Sequence, residues 1–328
     1  MYSKLVFKPI FLLIIIFLSS PLKAQLELDL GSVLKGVGSE YAKKYLEPFT
    51  TGIGTNLNSG FVGGYNPAPY SKIPITPHLY AGVKFCGVVM EDKDKTFNLS
   101  YEDKTVLYGQ TIPVTWQVYN APTVFGSTEK AIAKATVKSP LTGRDTVIST
   151  QLIGGLGESK FVFLFIPQIG IGSILGTDLI FRSVPGVNVG NYGSFKLFGW
   201  ALRHNIGAYA SLPFDLAFQF GYQKFGIKDK DDNKIINANS FFGNVQLNKT
   251  FLIVSIYMAA QYEYYNVDVN YTYTPTIGSP MTIAFSQKGD NNFRAIVGGA
   301  LLLGPVKFNA DVNFGAKFTI TTGLGLGL

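Results

Sequence analysis

The clearest pattern in the chain is an alternation of apolar and polar positions at its C-terminal end. From Val306 to Leu328 the even positions are apolar, with Thr322 as the exception, and the odd positions are polar or glycine. Successive side chains of a strand point to opposite faces, so this period of two predicts β-structure with one apolar and one polar face. Because a membrane-spanning strand needs only about 9–11 residues, we expect a hairpin that turns near residues 315–317.

This alternation also predicts which side chains meet lipid. In a membrane barrel the apolar face points to lipid and the polar face to the lumen. We therefore expect Phe308, Val312 and Phe318 to face lipid and Asn313 to face the lumen. An arginine at Val312 should then be costly, and an arginine at Asn313 nearly neutral.

Segments as long as a strand, with the same alternation of apolar and polar residues, recur along much of the chain. They predict an antiparallel all-β transmembrane β-barrel. The count gives about twelve strands, in a range of roughly ten to fourteen. The pattern weakens between residues 105 and 160, where a long loop, a plug insertion and a weak hairpin all stay open. The other segments with strand-like alternation are Leu79–Glu91, Phe97–Tyr101, Phe161–Ile171, Thr177–Val184, Ser194–Leu202, Phe214–Gln223, Ser240–Asn248, Leu252–Tyr264 and Phe293–Leu303.

A short helical segment precedes the strands. Between Leu28 and Phe49 apolar residues recur at spacings of three and four, which predicts an amphipathic helix that ends at Pro48. Residues 50–77 are rich in Gly, Asn and Pro and are expected to form a loop. The apolar stripe must be buried somewhere, so we expect this segment to enter the lumen as a plug that contacts Tyr80 and Tyr257. A simple lid over the barrel is the alternative.

The first residues have the layout of a secretory signal peptide. Lys4 and Lys8 precede the apolar run from Ile10 to Leu18, and Ala24 marks the expected cleavage site. The sequence thus divides into a signal peptide at 1–24, a helix and loop at 25–77 that forms a possible plug, and a barrel at 78–328. An exported barrel of this kind is expected in the outer membrane of the cell.

Composition agrees with a barrel and excludes several other classes. The mean hydropathy is +0.21 and aromatic residues make up 14% of the chain, yet no segment has the roughly 18 apolar residues of a spanning helix. A periplasmic β-sandwich is the alternative. The formal net charge is +7, but the basic residues are scattered, so nucleic acid is not an expected partner.

The sequence contains little catalytic chemistry. His204 and Asn205 are the pair that could serve an outer-membrane hydrolase, but neighbouring residues of a strand point apart and no nucleophile elbow is present. With two histidines and one cysteine, no metal site or cofactor is expected. We therefore expect a protein that is not an enzyme.

Parity also selects charged and polar residues that should face the lumen. They carry charges of both signs, which is typical of a wet interior or a plug contact and not of a selective ring. The candidates chosen in this way are Asp215, Gln219, Lys307 and Asp311.

Two further candidates, Asp178 and Arg182, belong to a set of short motifs. The motifs are residues 45–49, 56–61, 121–126, Pro167-Gln168 with Gly176-Thr177-Asp178 and Arg182, 199–204 and 219–226. Together they resemble an uncharacterised outer-membrane barrel family of the Bacteroidota, and the resemblance covers most of the mature chain. More distantly, a helix ahead of a barrel is similar to the long-chain fatty-acid outer-membrane transporter class, in which that segment blocks the lumen. Asp178 and Arg182 share one face of a strand, where a buried structural pair is the simpler interpretation.

Two hypotheses for function follow from the sequence. The first is a channel or transporter for a hydrophobic or small solute, which passes through a plugged lumen or a lateral gap. The second is a structural or assembly barrel with a filled lumen that acts through its loops. In both cases the expected partners are outer-membrane lipid and the barrel assembly machinery.

Overall fold

The computed structural model describes residues 39–63, 75–107, 109–138, 143–157, 159–188, 194–206, 209, 212–229, 232–273 and 281–327. The expected signal peptide at 1–24 and the first part of the expected helix, at 28–38, lie outside these ranges. The domain boundaries drawn from the sequence therefore stay predictions.

Ten antiparallel strands close into a barrel, which confirms the predicted fold class at the lower end of the expected strand count. An eleventh strand, β12, pairs with residues 266–273 of β11, beyond the part of β11 that pairs with β13. Around the barrel the order is β1, β6, β7, β8, β9, β10, β11, β13, β14 and β15, and β15 pairs with β1. The bounds are β1 Ile75–Val89, β6 Phe161–Ile174, β7 Thr177–Asn188, β8 Ser194–Asn205, β9 Asp215–Lys228, β10 Lys234–Phe251, β11 Val254–Tyr273, β12 Met281–Lys288, β13 Phe293–Leu303, β14 Val306–Phe314 and β15 Thr319–Gly327.

The alternation in the last hairpin is confirmed by the burial of its side chains. In β14 and β15 the odd positions are largely buried and the even positions largely exposed. The turn falls between Phe314 and Thr319, where it was expected. The apolar residues at even positions therefore face outward, and the polar residues at odd positions face the lumen.

A separate four-stranded sheet, the cap sheet, is inserted between β1 and β6. It occupies much of the segment for which a loop, a plug insertion or a weak hairpin was expected. In β4 the residues alternate strictly between exposed and buried, but the strand is short, and prolines at 113 and 122 interrupt the pattern in β3. The strands are β2 Thr96–Leu107, β3 Gln110–Pro122, β4 Ile132–Lys138 and β5 Asp145–Gln151.

One α-helix, α1, spans Ser39–Leu57 in the described part of the chain. The expectation that the helix ends at Pro48 was wrong, because residues 50–57, which were expected to lie in a loop, continue the helix. A proline inside a helix removes a hydrogen bond and crowds the preceding turn. Here that cost is offset by burial, because every residue from Gly52 to Leu57 is buried.

The two ends of the barrel differ. At the tight-turn end, short connections join β6 to β7, β10 to β11 and β13 to β14 at residues 175–176, 252–253 and 304–305. At the cap end lie the cap sheet and β12. Within the described ranges, no helix is long and apolar enough to cross a membrane.

The barrel wall has one open seam. The ladder between β6 and β7 joins Gln168 to Arg182 and continues toward the tight-turn end, but residues 161–167 and 183–188 do not pair with each other. Both segments keep their other neighbours, β1 and β8. Pro167 lies in the seam, and β7 shifts register against β8 between Val184 and Val187, where Pro185 interrupts it. Since proline cannot donate to a ladder, Pro167 and Pro185 each remove one donor at the seam.

Candidate functional site

The lumen is lined by polar side chains that are almost all withdrawn from solvent. A buried polar or charged group must find partners, because its desolvation is otherwise uncompensated. Much of this compensation comes from the segment that follows α1. The inward side chains with little exposure include Lys84, Gln168, Arg182, Gln219, Gln223, Gln261, Glu263, Arg294, Asp311 and Asn313.

Arg182, one of the predicted candidates, holds this segment from β7. Its Nη1 donates to the Ser59 carbonyl oxygen at 2.8 Å, and its Nε donates to Gln168 Oε1 at 2.9 Å. The guanidinium carbon lies 3.3 Å from the centroid of the Phe61 ring. Phe61 in turn packs against Phe242 of β10 in a tilted arrangement, with ring centroids 4.4 Å apart. The Arg182 side chain therefore binds the segment at two points, the backbone carbonyl of Ser59 and the ring of Phe61.

Arg294 holds the same segment from β13. Its Nη1 donates to Ser59 Oγ at 2.7 Å, and its Nη2 donates to the Thr55 carbonyl oxygen at 3.0 Å. Nη2 also donates to Glu263 Oε1 at 2.6 Å and to Glu263 Oε2. Glu263 accepts further bonds from Asn291 and Gln261. A buried ion pair with several further hydrogen bonds therefore anchors the segment on this side, and the Nε of Arg294 is the atom of the pair left without a hydrogen-bond partner.

The two arginines stand on opposite sides of the barrel. Five steps around the ten-stranded wall separate β7 from β13. Both nevertheless bond to Ser59. Ser59 therefore lies near the barrel axis, held between facing walls.

A third contact lies at the end of the described segment. Lys84 Nζ donates to the Gly63 carbonyl oxygen at 2.5 Å and to Asn309 Oδ1 at 2.7 Å. The predicted plug contact Tyr257 borders Gly63 closely, because a Cβ built on Gly63 would lie 2.0 Å from the Tyr257 hydroxyl. Tyr257 donates to Asp311 Oδ2 at 3.0 Å. The predicted lumen residue Asp311 thus supports Tyr257, the wall residue that borders the segment.

The other predicted candidates lie elsewhere on the inner wall. Asp178 pairs with Arg203 at 3.2 Å and not with Arg182, which lies four residues along the strand. Asp215 accepts from Asn248 at 3.2 Å, and Gln219 accepts from Asn244 at 3.4 Å and from Gln246. Lys307 is partly buried and lies over Gly327, where an added Cβ would come within 2.5 Å of its Nζ. The structure therefore does not gather the six candidates into one site.

Sequence reasoning did not select Arg294 or Ser59. Parity places Arg294 inward, beside Ile296, and this signal was available in the alternation of β13. Ser59 lies in a segment expected to be a loop, and its partner Arg182 is 123 residues away. Nothing in a local pattern points to that contact.

The first half of α1 is bound to the cap sheet. Tyr45 donates its hydroxyl to the Gly154 carbonyl oxygen at 3.1 Å, and its own carbonyl accepts from Val124 N at 3.0 Å. Tyr41 donates to the Ile153 carbonyl oxygen at 3.3 Å. Burial raises the pKa of both tyrosines well above the ordinary range, so both hydroxyls stay protonated donors. The helix and the cap sheet are therefore joined directly.

The second half of α1 closes the open seam from inside. Asn56 Nδ2 donates to the carbonyl oxygen of Val162, in the unpaired part of β6, at 2.7 Å. Gly52 packs against the same residue so closely that an added Cβ would lie 2.6 Å from the Val162 side chain. The inward residues beside the seam are apolar, namely Val162, Leu164, Ile166, Val184 and Leu197.

Little in the described residues supports catalysis or metal binding. His204 Nδ1 lies 2.9 Å from Thr177 Oγ1, while the neighbouring Asn205 is buried on the opposite face. Among the described residues, no group of three His, Cys, Asp or Glu side chains could hold a metal ion. The arrangement holds a segment of the chain in the lumen.

Structure comparison matches several solved outer-membrane barrels to this chain at low scores. The outer membrane protein OmpT of Vibrio cholerae is 11% identical, with 77% of this chain and 99% of OmpT covered and a TM-score of 0.25. The translocator domain of the autotransporter NalP from Neisseria meningitidis is 10% identical, with 88% and 96% covered and a TM-score of 0.24. At identities and TM-scores this low, the matches support no conclusion about function.

Sequence comparison identifies a family but no activity. No protein with a curated description matches the chain. The model of a family of unknown function, DUF6588, matches residues 3–328. The chain therefore belongs to that family.

Proposed function

We propose that this member of a family of unknown function is an outer-membrane transporter for a hydrophobic solute, held closed by its N-terminal segment. The expected signal peptide and the apolar outer face of the barrel support this location. Short turns are typical of the periplasmic side and longer connections of the outer side, so the cap end would face outward. The origin in Bacteroidota and the similarity to fatty-acid transporters stay expectations from the sequence.

The open seam is the observation that carries this proposal. A closed barrel normally pairs every strand along its length, because an unpaired backbone group in lipid is costly. Here one wall carbonyl, that of Val162, takes its hydrogen bond from a side chain of α1. The inner lining beside the seam is apolar. A displaced helix would therefore leave a path between lumen and lipid that suits an apolar molecule.

The polar contacts around Ser59 are consistent with a removable plug. Arg182, Arg294, Lys84 and Gln261 each donate to a backbone carbonyl oxygen of residues 55–63. Water can replace a backbone acceptor when the segment leaves, so these wall groups would keep partners in the open state. An apolar wall would not have this property.

A substitution at the seam tests this function. Val184 faces inward beside the seam, and its neighbour Ser183 faces outward. Val184→Phe should slow the uptake of a pyrene-labelled alkyl chain by cells that carry the protein in their outer membrane, whereas Ser183→Phe should not. Equal uptake by both variants and the unchanged protein, at equal amounts in the membrane, would contradict the proposal.

A structural barrel is the second candidate, and one observation favours it. Helix α1 and the cap sheet share a continuous apolar cluster that extends into the cap end of the lumen. A segment fixed in this way would fill the barrel permanently, and the cap sheet would then act on partners outside. This function requires that no solute crosses the barrel under any condition.

A further inference from the structure

Four residues other than glycine have a left-handed backbone conformation in the described part of the chain. Asn120 and Asp232, with φ of 49° and 65°, lie in the cap sheet and in a connection at the cap end. Leu175 and Leu252, with φ of 50° and 53°, lie in two turns at the tight-turn end. Asn and Asp tolerate this conformation, but leucine does not adopt it readily. The two leucines therefore cost stability that a different turn residue would not.

Neither leucine regains this cost by packing within the protein. Leu252 is 98% exposed, and its neighbours Phe251 and Ile253 are also exposed. Leu175 and the adjacent Ile174 are more than half exposed. A large apolar side chain at an exposed, unfavourable position needs a partner outside the chain.

The connection between these two turns has the same character. Around the barrel at the tight-turn end, the link from β8 to β9 lies between the link from β6 to β7 and the link from β10 to β11. It exposes Leu212 and Phe214. Three successive connections therefore form one apolar edge, the leucine rim, made of Ile174, Leu175, Leu212, Phe214, Phe251, Leu252 and Ile253.

The leucine rim continues the apolar outer face of the wall along β6 and β11, and the charged side chain beside it is the exposed Lys249 of β10, which donates to the Pro213 carbonyl oxygen. Ile169 and Ile171 lead into the first turn, and Val254 and Ile256 lead out of the last. Residues 161–177 and 250–262 contain no charged side chain. A protein partner would cover a bounded patch, whereas a surface continuous with the lipid-facing wall is suited to lipid.

We propose that the leucine rim is a membrane-contact site that inserts into the boundary between headgroups and acyl chains of the leaflet on the tight-turn side. This inference rests on the membrane location given in the proposed function. It adds that this end of the barrel is anchored in phospholipid and does not project into water. The burial of the leucine side chains in lipid then offsets the unfavourable backbone conformation.

Bimane labels on single cysteines can test the depth of the rim. In a Cys86→Ser background, Leu252→Cys would carry the label at the rim, Asp232→Cys at the cap end, and Val297→Cys on the outward face of the barrel. The first two positions share a positive φ, so the backbone cost is matched. The protein would be reconstituted into phosphatidylethanolamine vesicles that contain phospholipid with brominated acyl chains.

The label at position 252 should have blue-shifted emission and be quenched by the brominated chains several-fold more strongly than the label at 232. Emission at 252 equal to that in water, without quenching, would overturn the inference. The rim would then be a surface that contacts a periplasmic protein. A label at 297 that is also unquenched would instead overturn the membrane location in the proposed function. The two failures are therefore distinguishable.

A second variant gives an answer that does not depend on a label. Asn suits a positive φ better than Leu, so Leu252→Asn would leave stability unchanged or raise it if the turn lay in water. In lipid the same change loses apolar contact, and the vesicle-bound protein should unfold at lower urea concentration. A midpoint at or above that of the unchanged protein would overturn the inference.

Discussion

Glu263 and Arg294 illustrate how a charge survives inside this barrel. Their side chains are 0% and 1% exposed, and both have additional hydrogen-bond partners. Removing one member of a buried pair leaves an uncompensated charge, which typically costs about 3–5 kcal/mol. Removing both can be nearly neutral.

We therefore predict strong coupling between these two residues. Arg294→Met should lower the free energy of unfolding by about 3–5 kcal/mol. The double variant Glu263→Met, Arg294→Met should be less destabilised than the single variant. Urea titration of the protein in lipid vesicles, followed by fluorescence, measures each value. The pairing would be contradicted if the double variant lost as much free energy of unfolding as Glu263→Met and Arg294→Met lose together as single variants.

The two faces of the last hairpin differ more than the sequence indicated. Asn313 does face the lumen, but it is fully buried, donates to Asp311 at 2.7 Å and accepts from Arg294 at 3.3 Å. From the structure we expect an arginine there to be costly and not nearly neutral, because the alternation in the sequence predicts the direction of a side chain and not the space available to it. A lumen-facing position tolerates a large side chain only where the lumen is open.

The outward face can be tested with two matched valines. Val297 lies on β13 in the barrel wall, and Val147 lies on β5 in the cap sheet, and both are substantially exposed. Val297→Arg should cost about 2–4 kcal/mol in a bilayer, because an arginine near the midplane loses its hydration. Val147→Arg should change stability by no more than about 0.5 kcal/mol. Equal costs, measured by urea unfolding in vesicles, would contradict the placement of lipid.

At the scale of elements, strands were predictable where one face was apolar and the other polar. The hairpin of β14 and β15 was confirmed because both faces keep their character from end to end. Helix α1 was misjudged because a proline and a run of small residues normally end a helix. Its continuation depends on the wall, since Gly52 and Gly54 let it approach Val162 and Tyr265. Such tertiary contacts leave no signal in a local pattern.

The candidate site was predictable to a similar extent. Parity placed Gln219 and Asp311 in the lumen, where the structure has them buried. It could not identify their partners, because the contact from Arg294 to Thr55 joins residues 239 positions apart. Direction follows from local periodicity, whereas pairing follows from the closure of the whole barrel.

The small residues of α1 allow the helix to lie close to the barrel wall, so a larger residue there should destabilise the protein. A Cβ on Gly54 would lie 2.2 Å from the ring of Tyr265, whereas a Cβ on Gly186 meets nothing within 4 Å. Gly54→Ala should therefore destabilise the protein by about 1–3 kcal/mol through overpacking, although alanine is the better helix former. Gly186→Ala serves as the control and should have little effect. A stabilised Gly54→Ala variant would show that the helix does not lie against this wall.

At the scale of the whole molecule, the cap sheet, the helix and the wall form a connected series. Tyr41 and Tyr45 join the helix to the cap sheet, and the Lys317 ion pair with Asp94, at 2.5 Å, joins the cap to the end of the barrel. Ser59 lies at the other end of the series, between Arg182 and Arg294. A movement of the cap sheet would thus be transmitted to the segment in the lumen.

The membrane location predicts how the whole protein behaves in simple fractionation. The protein should be recovered with the outer membrane, because its outward face is apolar along the wall. Unboiled protein should also migrate differently from boiled protein on a denaturing gel, since a closed barrel resists unfolding by detergent. Recovery as a soluble periplasmic monomer would contradict the location.

In the proposed transporter the segment around Ser59 must move for a solute to pass, and a reversible crosslink can hold it in place. A Cβ built on Gly60 lies 3.1 Å from the sulfur of Cys86 on β1, so Gly60→Cys can form a disulfide with the native cysteine. The variant Gly60→Cys with Cys86→Ser has the same backbone strain at residue 60 and cannot be locked. Mass spectrometry would establish that the disulfide has formed.

Uptake of the pyrene-labelled alkyl chain should fall to background when Gly60→Cys is oxidised and return when it is reduced. The control with Cys86→Ser should respond to neither treatment. If the disulfide forms on oxidation and uptake is nevertheless the same in the oxidised and reduced forms, the segment does not need to move for transport.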